Sequence, residues 1–227
     1  TARALGIQEH RDFAASYAYR TSNPIEPIKL PHEKAPVQQT ILQANDVNLF
    51  DLPALTQHQL DSGPYLTAAH ATTFDPDTDV DNTAIQRCWI KNSKVMSYYP
   101  YPASHNMQNL RKFWKKNQPC PIAFWIGHHP KILLGTQAKL AYPESHWAAC
   151  GGLLGEKLRL VPTITHGKKI MVPADAEIVV EGWIPPNILE ADGPFGEYTG
   201  YMGPQVVAPI CEVTCITMRK DAIYHDY

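Results

Sequence analysis

The feature that most constrains this chain is a set of short apolar runs in its second half, each cut off by glycine, proline or acid. They are "PIAFWIG" at 121–127, "LRLVPTIT" at 158–165, "AEIVVEGW" at 176–183 and "PICEVTCITM" at 209–218. Each is rich in β-branched and aromatic residues and has the length of a buried strand. None approaches the roughly 20 residues needed to cross a bilayer as a helix. In the last run Cys211, Val213 and Cys215 alternate, so they share one face of a strand. The first half repeats the pattern, with strands expected at 64–73, 83–90 and 94–99 and the acidic turn "DPDTDVDN" between the first two. Many strands with few helices between them imply an α+β fold around a partly closed β-barrel.

The remaining chain supplies the helices. A helix is expected around 9–19, followed by "TSNPIEPIKLPHEKAP", whose prolines forbid regular structure and leave an extended arm lying on something larger. The organisation is thus an N-terminal helix and Pro-rich arm at 1–34 and a main domain at 35–227. Ser104 caps a helix running to about Lys116, with Met107, Leu110, Phe113 and Trp114 inward and Arg111, Lys112, Lys115 and Lys116 outward. That basic face reads as a solvated surface, with anion binding the sharper alternative. Pro130 suits the first position of another helix.

Charge narrows the function classes. Among 227 residues the net charge is −2 and the sequence pI about 6.5, which offers no footprint for nucleic acid. The opening "TARALGIQEHRDF" lacks the build of a signal peptide. The five cysteines form no CxxC pair, so they read as reduced, buried thiols and not as zinc ligands or a disulfide framework. A cytoplasmic protein is expected.

Chemistry concentrates in "EADGPFGEYTG" at 190–200, where Asp192 and Glu197 bracket Gly193-Pro194-Phe195-Gly196. Gly193, preceding proline, is expected to be extended; Pro194 sets the corner and Gly196 takes the unusual dihedrals at the exit. The pattern fits a solvated turn as well as a site in which two acids share one proton. Arg87 sits among apolar neighbours in "TAIQRCWI" and needs either solvent or a carboxylate, for which both acids qualify. With an arginine between them, one acid stays charged while the other can donate a proton. Ten histidines are present without an HExxH arrangement, and His105 stands out at the start of the Ser104 helix. Asn82, Arg87 and His105 each lie on or beside a predicted strand or helix edge.

Taken together, "GPYLTAAHATTFDPDTDVDNTAIQRCWI", "PIAFWIGHHP", "VPADAEIVVEGWIPP", "DGPFGEYTGYMG" and "ITMRKDAIYHDY" resemble, in order from about residue 35 to 224, the UbiD-like family of reversible decarboxylases. That resemblance implies a split β-barrel of the flavin-reductase type and a prenylated FMN cofactor, supplied by a flavin prenyltransferase. It implies a divalent metal, usually manganese, with potassium as an accompanying ion. The substrate it implies is a small aromatic, heteroaromatic or α,β-unsaturated carboxylic acid, and the full-length form is expected to be a homo-oligomer. By position, Asn82 and His105 match metal ligands, and Asn82, Ile85, Arg87, Ser104 and His105 match cofactor contacts. Arg87, Asp192 and Glu197 match the catalytic set, with Asp192 where the family has Glu and Glu197 as the proton donor. The third metal ligand, a Glu in the family, falls on His146, and a shorter preceding loop lets Glu144 serve instead. The chain is about half the family's usual length and lacks the closing second domain. A catalytically incomplete flavin-phosphate-binding or subunit-interaction domain is therefore the alternative, followed by a metal-dependent hydrolase built on Asn82, His105 and His146.

Overall fold

The computed structural model describes residues 2–227. In chain order the strands are β1 (Ile28–Lys29), β2 (Thr40–Gln43), β3 (Tyr65–Phe74), β4 (Asp81–Asn92), β5 (Val95–Ser97), β6 (Cys120–Ile126), β7 (Arg159–Thr163), β8 (Gly167–Pro173), β9 (Ile178–Ile184), β10 (Leu189–Asp192), β11 (Phe195–Gly196), β12 (Met202–Gly203) and β13 (Val206–Met218). The α-helices are α1 (Phe13–Thr21), α2 (His105–Lys115), α3 (Pro130–Gly135) and α4 (His146–Leu154).

The strand order β13-β5-β4-β3-β6-β9 returns to β13 through the β13–β9 pairing, so the sheet closes on itself with antiparallel neighbours throughout. Closure removes the unpaired edges that an open sheet would expose. The expected α+β split barrel is therefore what the chain forms. β13 is long enough to serve as the seam, pairing with β10 and β5 near its start and with β9 and β2 towards its end. A second small sheet, β1-β7-β8, lies alongside.

All seven residues of β6 are buried. One face of that strand fills the barrel with Ile122, Phe124 and Ile126, and the other is covered by neighbouring elements, which is why its sequence runs apolar without alternating. The five cysteines are all free and buried, as their spacing suggested. Helix α2 follows the expected pattern: the Ser104 hydroxyl accepts the Met107 N–H at 3.3 Å, and Leu110 and Phe113 are buried. Its basic face is only partly solvated, because Lys112 reaches Asp75 and Asp77, and Lys116 reaches Asp77, in the acidic turn after β3.

Three expectations needed correction. The first helix begins at Phe13, preceded by a 3-10 turn at His10–Asp12. The Pro-rich arm lies along the barrel domain as expected, yet it contains a strand: the N–H groups of Ile28 and Leu30 donate to Leu158 and Leu160 at 2.8 and 2.7 Å. Pro27 and Pro31 flank that segment without removing either donor. Helix α4 was not foreseen, because "HWAACGGLL" has no polar face and two glycines. Its first eight residues are buried, and any Cβ on Gly151 or Gly152 would collide with the carbonyls of Ile25 and Asn23 in the arm and of Arg20 in α1.

Candidate active site

The site is organised by β4. Because β4 alternates, Ile85 and Arg87 project to one side, and both line a cavity of about 960 Å³. The other walls include Thr67 of β3, Tyr99 and Tyr101 beyond β5, and Phe195 and Glu197 of the acidic turn. The volume suits a bound organic cofactor or substrate.

Arg87 joins the two acids. Its Nη2 and Nε donate to Asp192 Oδ2 at 3.0 and 3.3 Å, and its Nη1 donates to Glu197 Oε1 at 2.6 Å. The two carboxylates are not equivalent. The Asp192 side chain is 0% exposed, and its second oxygen accepts the Ser97 hydroxyl at 2.5 Å, so both its oxygens are occupied by protein donors. Glu197 is 41% exposed, keeps one oxygen free of protein partners among the described residues, and faces the cavity. Aspartate in place of a longer acid thus still reaches the guanidinium, because β10 brings Asp192 beneath β4 and β5. Phe195 and Tyr99 cover the guanidinium at 5.0 and 5.4 Å from ring centre to Cζ.

The turn differs from expectation in its glycines. Gly193 is the residue with positive φ, at 85°, and is not extended. Its N–H donates to the Tyr65 hydroxyl at 3.1 Å, and burial, reinforced by the nearby Asp192 charge, pushes that phenol up to about 12. Gly196 needs no unusual dihedral. It is glycine because the His58 ring lies where a Cβ would be.

Asn82, His105 and Glu144 border a second, much smaller space of about 20 Å³, together with Asp75, Asp81 and Tyr142. Asn106 fixes the Asn82 amide: its Nδ2 donates to Ala71, so its Oδ1 accepts from Thr73 and, at 2.7 Å, from Asn82 Nδ2. Asn82 Oδ1 is left as a free acceptor among the described residues. Asp81 is committed elsewhere, accepting from the Ser145 hydroxyl and the His146 N–H. The space holds about one ion or water, and an amide oxygen, an imidazole and a carboxylate form a hard-cation donor set. Among the described residues no three His, Cys, Asp or Glu side chains converge as a metal cluster, Asn82 lying outside that count.

His146 does not border this space. It opens α4 as a buried residue, its Nδ1 has no partner among the described residues, and burial holds its imidazole down at about 4. Glu144, the alternative, is the residue that borders the small space. Ser104 spends its hydroxyl on Tyr101 and on capping α2, and does not line the large cavity. Nor does the structure bring Asn82 and His105 to Arg87. Asn82 and Arg87 lie roughly 17 Å apart along β4 by strand rise. Sequence reasoning missed Ser97, Tyr65, Asp61 and His58.

Comparison with known proteins finds relatives of the same fold. Two structures of the UbiD-class enzyme HmfF from Pelotomaculum thermopropionicum, an evolved dimeric form in complex with prFMN and a second in complex with FMN, are each 34% identical with a TM-score of 0.94. They cover 99% of this chain and 52% and 50% of their own. The closed form of vanillic acid decarboxylase from Sedimentibacter hydroxybenzoicus is 26% identical, with a TM-score of 0.93, covering 99% of this chain and 49% of its own. The chain therefore spans about half the length of these relatives. A family model described as the 3-octaprenyl-4-hydroxybenzoate carboxy-lyase Rift-related domain matches residues 29–227, and the chain belongs to the UbiD family.

Proposed function

We propose that this chain supplies the cofactor-binding part of a prenylated-FMN-dependent decarboxylase, with 35–227 as the flavin-binding unit and 1–34 as its arm. The observation that carries this reading is Arg87 held between a buried, fully paired Asp192 and a half-exposed Glu197 on the wall of a large cavity. The flavin would lie along β4, with Ile85 and Arg87 beside its rings and Asn82 and His105 near its phosphate. A divalent ion, manganese by the family pattern, would be held by Asn82 Oδ1, His105 and Glu144 and would neutralise phosphate charge. When bound, the prenylated flavin supplies the electron sink that carbon dioxide loss requires, a task side chains do poorly.

The chain's own groups do the rest. Arg87 presents its guanidinium to the substrate carboxylate while Asp192 and Ser97 keep it from rotating away. Glu197 delivers the proton that replaces the departing carboxyl group on carbon, and its free oxygen faces the cavity where that carbon would sit. Phe195, Tyr99 and Tyr101 form flat apolar walls that suit an aromatic or conjugated acid. The test is to produce the full-length protein with a flavin prenyltransferase and assay carbon dioxide release from a panel of conjugated acids. Glu197→Gln is expected to lower kcat by about 10²–10⁴-fold, with flavin content unchanged. Release that is undiminished in the variant removes Glu197 as the donor.

A further inference from the structure

The loop "HQLDSG" at 58–63 has no part in the chemistry described so far, yet it is bound to the proton-donor turn at several points. Asp61 closes a tight turn: its N–H donates to His58 O at 3.0 Å, while its own Oδ2 accepts the His58 N–H at 2.8 Å. Its other oxygen, Oδ1, accepts the Gly196 N–H at 2.8 Å, one residue before Glu197. Ser62 N–H donates to Pro194 O at 3.2 Å, and Tyr65 accepts from Gly193. The Asp61 side chain is only 1% exposed although it sits on a surface turn, so its charge is spent on these donors. His58 Nδ1 faces Asp61 Oδ2 at 3.4 Å, and its half-exposed ring lies against the bare Cα of Gly196 and lines the same cavity as Glu197.

We propose that Asp61 and His58 are positioning residues that clamp the Phe195–Gly196 peptide and the Gly196 Cα, and so aim the carboxyl of the next residue, Glu197, into the cavity. Asp61 holds the Gly196 amide from one side, and the His58 ring prevents Gly196 from rolling towards it. Arg87 alone cannot set this aim. It meets Glu197 through a single oxygen, and a pair of that kind at a half-exposed site tolerates rotation. Asparagine at 61 keeps a single acceptor oxygen, so one of the Gly196 and His58 N–H donors would face an amide NH2 instead, and alanine at 58 would remove the ring from Gly196 while leaving the Asp61–Gly196 hydrogen bond in place.

The role in catalysis rests on Glu197 being the proton donor, so the experiment has two arms. In the first, hydrogen exchange is measured over 193–203 in this chain. Asp61→Asn and His58→Ala are each expected to speed exchange there about tenfold or more, with exchange in the barrel strands unchanged. Unchanged exchange at 193–203 overturns the clamp whatever the protein's activity. In the second arm the full-length holoenzyme is assayed. Each variant is expected to lose about 10–100-fold in kcat, with KM within twofold and flavin content unchanged. Adding Asp61→Asn to Glu197→Gln is expected to cost nothing further, because the clamp acts only through that acid. Full additivity, or loss of flavin from Asp61→Asn, overturns the positioning role. If Glu197→Gln is itself fully active, the donor assignment fails and the catalytic part of this inference fails with it, while the exchange result still decides whether the clamp exists.

Discussion

Replacing Arg87 with methionine tests the central cluster without reference to any reaction. The change keeps most of the stem against Phe195 and Tyr99 but removes the only cation contacting Asp192 among the described residues. Three contributions are lost. The pairing with Glu197 is worth at most about 1 kcal/mol, since that side chain is 41% exposed. Contact with the two rings contributes about 1 kcal/mol in all at a partly exposed site. The largest comes from Asp192, which is 0% exposed and keeps only the Ser97 hydroxyl, so that an uncompensated buried carboxylate costs about 3–5 kcal/mol. Burial of the partner decides the outcome, and Arg87→Met is expected to destabilise by about 4 kcal/mol, lowering Tm by about 8–16 °C for a chain of this size. Arg87→Met combined with Asp192→Leu removes both charges and should recover most of that loss. Urea denaturation of the wild type, both single variants and the double variant gives the coupling. A single variant within about 1 kcal/mol of wild type, or a double variant as unstable as the sum of the two, refutes the argument.

Two further outcomes follow from buried histidines and from the small cavity. His70 and His146 are buried, and each imidazole is held down at about 4 by loss of water around it. Their contribution is therefore complete above an unfolded value near 6.5 and declines as pH falls towards 4, because the unfolded chain binds the protons first. Stability from chemical denaturation should drop by roughly 3 kcal/mol per histidine over that interval, whereas His70→Gln should flatten the slope. For the ion, Glu144→Gln is expected to weaken manganese binding about 10–100-fold, read by calorimetry on the full-length protein. His146→Gln should leave that affinity within twofold while lowering Tm; the reverse pattern would return His146 to the ligand set.

Local pattern carried much of this protein. The apolar runs at 121–127, 176–183 and 209–218 become β6, β9 and β13 because short β-branched segments bounded by Gly and Pro have few other stable forms. Ser104 caps α2 by a hydrogen bond within three residues, so its neighbours in sequence suffice to reveal it. The pairing of Arg87 with the two acids was also legible, since an arginine between apolar neighbours must find a carboxylate. Helix α4 was invisible because all its sides are buried against α1, α3 and the arm, which erases the polar stripe that a sequence reading depends on.

The amino-acid order by itself therefore determined the six barrel strands, the capped helix, the buried cysteines and the family. Tertiary structure alone decided which acid is sealed and which faces the cavity. Ser97 lies 95 positions from Asp192, and Asp61 lies 135 from Gly196, so no local spacing announces either contact. It also decided that Glu144, and not His146, borders the same small space as Asn82 and His105. One side chain opens a buried helix while the other precedes it, and a shift of two residues at a helix start turns a side chain from the cavity into the core.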